Sequence, residues 1–189
     1  MNADLLVYQA KAFYNAYIAL DQLSRDDSDT LLLLFAPLVV NGAFSVELAL
    51  KAILAKNQIE YGKEHNLLIL FRMLPKSFQQ ELWAYLIEKA PEYAGSEKGL
   101  DELVLLSNAF VDWRYAFEGK PVPAIESRFL AAFANAAVHT MFSYYNADLL
   151  PATKAESNNE IEQRFHENRE KCKEINLKMI QKKTKEHQL

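Results

Sequence analysis

Apolar side chains recur three and four positions apart along this chain, and no stretch shows the alternation of a half-buried strand. Leu6, Phe13, Tyr17 and Leu20, with polar Gln9, Lys11 and Asn15 between them, predict a helix over residues 5–23. The polar run from Arg25 to Asp29 ends it, and its aspartates and Ser28 offer a cap for a second helix over 30–57. Proline withdraws a helix hydrogen bond, so this second helix is expected to be interrupted or bent at Pro37. After Tyr61 and Gly62, a third helix over 64–74 carries Leu67, Leu70, Phe71 and Leu74 on one stripe, and Pro75 stops it. A fourth follows over 77–89. Residues 91–96 read as a loop and 98–117 as a fifth helix, ended by Gly119, Pro121 and Pro123. The last core helix spans 124–146, where Phe129, Phe133, Ala136 and Ala137 call for deep packing. The pattern is all-α, and the segment from Ser45 to Leu54 belongs at its centre.

Half of the 189 residues are apolar and only 5 are glycine, which suits one continuous helical core in residues 1–150 without disulfide or metal staples. The single cysteine, Cys172, has no thiol or histidine cluster at metal-ligand spacing, so zinc and disulfide architectures are set aside and a reducing compartment fits. No basic region precedes an apolar stretch at the amino terminus, and the longest apolar run, Leu31 to Val40, is short and internal. A cytoplasmic protein with no membrane partner is therefore expected.

Charge divides the chain. Residues 1–150 carry 12 Lys/Arg against 18 Asp/Glu, whereas residues 151–189 carry 9 against 7, so the body repels polyanions on average and the tail does not. Residues 151–189 read as a polar helical tail, an amphipathic extension whose Ile161, Phe165, Asn168, Cys172, Ile175 and Met179 are spaced alternately four and three apart. This seam fits either a helix leaning on its own core or pairing with a second chain.

Residues Asn41 to Leu54, with Ser45, Glu47, Leu50, Lys51 and Leu54 in order, resemble the helix of HEPN domains that reads Ser, any residue, Glu, then Leu and Lys, then Leu. Glu64-His65-Asn66-Leu67, followed by Leu70-Phe71 and Leu74-Pro75, is similar to the Gly-His-Asp-Leu start of the family's next helix. Asp112-Trp113-Arg114-Tyr115 is similar to its Trp-Arg-Tyr segment before the final helix. The resemblance covers roughly residues 5–148 and leaves the tail outside. It implies an up-and-down helical bundle, a homodimer, and a role in stress, toxin-antitoxin or phage defence.

Ribonuclease members of that family resemble one another in an Arg followed after four to six residues by a His, and none of His65, His139, His166 or His187 has an arginine at that distance upstream. The resemblance then implies a non-catalytic module for dimerisation and for binding a protein partner or nucleic acid. Two alternatives stay open: a divergent, metal-independent endoribonuclease in which Arg114 and His139 meet in space, and a nucleotide-binding helical protein. Glu47, Lys51, His65 and Asn135 are the candidate binding-cleft residues. Glu47 and Lys51 stand four apart with the acid first, the favourable order for a helical ion pair. Arg114 is placed to pair with Glu118 or Glu47, with Trp113 in the core and Tyr115 reaching solvent. His65 is placed to cap or bond a neighbouring segment. His139, four residues after Asn135, is expected to be a hydrogen-bonded core histidine. No Gly-rich phosphate loop, nucleophile elbow or His-Glu-x-x-His metal helix occurs, and no cofactor or metal is expected.

Overall fold

The computed structural model describes residues 3–24, 28–94, 98–115 and 124–145, with 28–33 by backbone alone. They form helices α1 (Ala3–Ser24), α2 (Ser28–Lys56), α3 (Leu67–Met73), α4 (Lys76–Lys89), α5 (Lys98–Leu106), α6 (Ala109–Arg114) and α7 (Ser127–Tyr145), with one 3-10 turn at Pro91–Tyr93. No strand occurs among the described residues, all of which lie in the compact unit Met1–Ala147. The predicted tail with its seam, Cys172 and Glu118 lie outside the described residues.

The four long helices alternate in direction. Tyr17 of α1 meets Gly42 while Phe13 packs edge-on against Phe44, so α1 and α2 are antiparallel. Gly42 faces Leu130 and the Tyr145 hydroxyl donates to the Ala52 carbonyl at 2.9 Å, so α2 and α7 run parallel. Phe78 meets Tyr144 and Tyr85 meets His139, which makes α4 antiparallel to α7. The result is an up-and-down bundle with α2 at its centre, packed on α1, α3, α6 and α7. The tight crossing of α2 explains Gly42, where a Cβ would stand 3.0 Å from the Tyr17 ring and 3.1 Å from Leu130.

Segment Leu34–Lys56 is long and apolar enough to cross a bilayer, and 78 % of that window is buried inside the fold. A helix apolar on every side is stabilised by neighbours on every side. Leu50, Ile53 and Leu54 are fully buried, each contributing roughly 1.5–3 kcal/mol of transfer free energy. Pro37 does not interrupt α2 as expected, because this packing offsets the lost bond. The Asn41 side chain also donates to the Pro37 carbonyl at 2.7 Å.

The single helix expected over 98–117 is instead two, α5 and α6, broken at Ser107 and Asn108. Tertiary hydrogen bonds make the break. The Ser107 carbonyl accepts from the Leu67 N–H at 2.9 Å, satisfying a donor that opens α3, while the Ser107 hydroxyl turns back to the Leu103 carbonyl at 2.7 Å. Asn66 caps α3 through Oδ1, which accepts from the Ile69 N–H at 3.0 Å, and its amide donates to Asn108 Oδ1 at 3.1 Å. One asparagine thus ties the start of α3 to the α5–α6 junction, and α3 begins at Leu67 rather than at 64.

Candidate functional site

Glu47 and Lys51 sit on the same face of α2, one turn apart, where the surrounding helices bury both. Lys51 Nζ donates to Glu47 Oε1 at 2.7 Å, the structural pair that the i, i+4 spacing predicts. The same Oε1 receives His65 Nδ1 at 2.9 Å from the segment that leads into α3. A carboxylate beside an ammonium only accepts, so Nδ1 carries the proton and Nε2 is the nitrogen left for solvent. The Glu47 side chain is 2 % exposed and the His65 side chain 51 %. Glu64 fixes His65 from behind: its Oε1 accepts from the backbone N–H groups of His65 at 2.9 Å and Asn66 at 2.7 Å.

Tyr61 completes the cluster. Its ring centroid lies 5.3 Å from Lys51 Nζ, and burial, followed by the Glu47 charge, raises its phenol above the ordinary value. Tyr61 also lines an open groove with Ala55, Gln58, Ile59, Glu60 and Gly62 at the end of α2. Glu47 Oε2 is buried without a hydrogen-bond partner among the described residues. Three of the four cleft candidates, Glu47, Lys51 and His65, are therefore joined, and Asn135, half-buried on α7, takes no part in these contacts. Sequence reading missed Tyr61, and it missed Glu47 as the acid partner of His65. The two are 18 residues apart, and only the turn between α2 and α3 brings them together.

Arg114 and His139 are placed differently. Arg114 is exposed at the end of α6, where its guanidinium lies 4.9 Å from the Phe110 ring centre and 4.7 Å from that of Tyr115. Its Nη2 donates to the Tyr115 hydroxyl at 3.0 Å. Phe110 in turn stacks on Phe44 at 4.3 Å, so the arginine ends an aromatic ladder that reaches into α1 and α2. Glu47 is engaged by Lys51 and His65 and does not pair with Arg114; Trp113 packs edge-on against Phe35 and Tyr115 reaches solvent.

His139 is exposed rather than a core histidine. Its place on the α4 side of α7 lets the imidazole lie flat on the Tyr85 ring, with centroids 3.8 Å apart and planes 12° apart. Glu88 is nearby, and its carboxyl is held below the ordinary value chiefly by Lys89, with a smaller effect from His139. No hydrogen bond or ion pair among the described residues joins Arg114 to His139. Nor do three His, Cys, Asp or Glu side chains converge there in a way that would hold a metal.

Residues 36–128 match the family model of the HEPN domain. No curated protein and no solved structure matches the chain. The matched region runs from within α2 to the start of α7 and includes the Glu47, Lys51, Tyr61 and His65 cluster as well as Arg114. On the family match, the all-helical architecture and the Ser45-x-Glu47 helix followed by His65, residues 36–128 of this chain are a HEPN domain.

Proposed function

We propose that this HEPN protein is a non-catalytic binding module that acts as a homodimer and engages a protein partner rather than cleaving RNA. The observation that supports this reading is the separate engagement of Arg114 and His139. The first is sandwiched between rings of its own α6 region, and the second is stacked on Tyr85 of α4. Cleaving RNA by acid-base chemistry needs a proton acceptor and a phosphate-stabilising cation within hydrogen-bond reach of the same atoms. The excess of acid over base in residues 1–150, 18 against 12, weighs against a polyanion as the main ligand.

The test incubates purified full-length protein with structured and unstructured RNAs, beside Arg114→Ala and His139→Ala. The expected result is no cleavage by any of the three. Cleavage by the wild type that each substitution lowers about a hundredfold would overturn the reading and install Arg114 and His139 as the catalytic pair.

A further inference from the structure

We infer that the groove at the end of α2 is a docking site for an arginine side chain of the protein partner. The inference rests on the protein-partner reading above and names the chemistry by which that partner is recognised. The groove encloses about 460 Å³, within the roughly 300–1,000 Å³ of small-ligand sites. Its walls come from aliphatic Ala55 and Ile59, aromatic Tyr61, the amide residue Gln58 and the acid Glu60. Two of these side chains are uncommitted. Glu60 is exposed and its carboxylate forms no hydrogen bond or ion pair among the described residues, and the Gln58 side chain forms none either. Gln58 also holds φ +58°, a left-handed backbone that glycine adopts without strain. A side chain kept at a strained position beside a groove, with no partner in the fold, points to a contact outside it.

Charge and shape select the occupant. Glu60 is the charged residue of the walls. The bases near by in sequence do not neutralise it: Lys51 is paired with Glu47, Lys56 is held by the Tyr144 carbonyl and ring, and Lys63, exposed beyond Gly62, is not part of the walls. An unpaired carboxylate repels phosphate and acidic side chains and attracts a cation. The excess of acid over base in residues 1–150, 18 against 12, acts in the same direction. Among cationic side chains, arginine uses the rest of the set. Its planar guanidinium stacks on an aromatic ring, its fork of N–H groups serves a carboxylate and an amide oxygen together, and its aliphatic stem packs on residues such as Ala55 and Ile59. A lysine ammonium is a strongly hydrated point charge that makes less of a ring and a second acceptor.

The test follows the amide resonances of the isotope-labelled full chain while N-acetyl-arginine amide is added, beside the lysine counterpart and the citrulline counterpart, the uncharged isostere of arginine. Arginine is expected to shift the resonances of residues 58–62 with a dissociation constant on the order of 1 mM. Lysine should bind about threefold and citrulline about tenfold more weakly. Glu60→Gln should weaken arginine binding about fivefold, as loss of an exposed ion pair does. Gln58→Gly should weaken it about threefold while raising the urea midpoint, a split that a merely structural role for Gln58 would not give. The amide spectrum of each variant checks its folding. No shift at the groove, lysine or citrulline bound as tightly as arginine, or arginine binding indifferent to Glu60→Gln overturns this site and leaves the partner reading standing. Cleavage of RNA by the wild type overturns the partner reading whatever the groove binds.

Discussion

Glu47 accepts two donors on one oxygen at a place closed to water, while the ammonium it holds lies alongside the Tyr61 ring. Removing the carboxylate leaves Lys51 buried and uncompensated, and breaking one side of a buried ion pair costs about 3–5 kcal/mol. Glu47→Ala is therefore expected to lower the unfolding free energy by about 3 kcal/mol, read from urea denaturation. The double variant Glu47→Ala/Lys51→Met is expected to recover most of that loss, because what remains is a cavity rather than a stranded charge. Equal losses in the single and double variants would show that packing around Glu47, and not its charge, is what the fold needs. His65 is less exacting. Its imidazole is half exposed, so a ring released from Glu47 is solvated, while Glu64 still holds the His65 backbone.

The end of α2 is set by a backbone motif in which the Ile59 N–H donates to the Leu54 carbonyl at 2.9 Å and the Gln58 N–H to that of Ala55 at 3.0 Å. This double closure places the residue between helix and loop in the left-handed region, where glycine is usual. The residue there is Gln58, at φ +58°. Gln58→Gly is expected to stabilise the fold by about 0.5–1 kcal/mol, the relieved steric cost less the greater entropy of glycine in the unfolded chain. A raised urea midpoint at unchanged slope would show it, and a lowered midpoint would mean that the Gln58 side chain holds the groove wall. Nothing in the residue type announces this motif, and such bonds divide what the sequence discloses from what it hides. The stripe of Leu67, Leu70 and Phe71 located α3, and the spacing of Glu47 and Lys51 located the ion pair. Both are local. The break at Ser107 depends on Leu67, 40 residues earlier, and the Glu47–His65 contact depends on a turn, so periodicity carried no trace of either. His139 misled for a related reason: small and apolar neighbours along α7 mark a buried helix, but they leave open which side of it Tyr85 will cover.

At the scale of the molecule, α2 and α7 are fastened where both end. Lys56 Nζ donates to the Tyr144 carbonyl at 2.7 Å and lies 4.2 Å and 4.3 Å from the ring centres of Tyr144 and Tyr145. A cation there also opposes the negative end of the α7 dipole. Tyr145 is buried, its hydroxyl given to Ala52 of α2, and burial, then the charge of Asp4, pushes its phenol up to about 12 from 10.0. Tyr93 is raised as well, by burial first and then by the carboxylates around it. A group whose value is higher in the folded chain keeps its proton there after the unfolded chain has released it. Its contribution is therefore whole below pH 10 and is lost as pH rises from about 10 to about 12. Unfolding followed from pH 8 to pH 12 is expected to show stability flat to about pH 9.5 and then falling. Tyr145→Phe removes one of the protons concerned. At pH 8 it is expected to cost about 1 kcal/mol, because the hydrogen bond to the Ala52 carbonyl is gone. At higher pH its stability should fall less steeply than the wild type's, so that the two curves draw together and meet near pH 11. Parallel curves would show that the Tyr145 hydroxyl ionises as readily in the folded chain as outside it, and that the clamp between α2 and α7 rests on Lys56 alone.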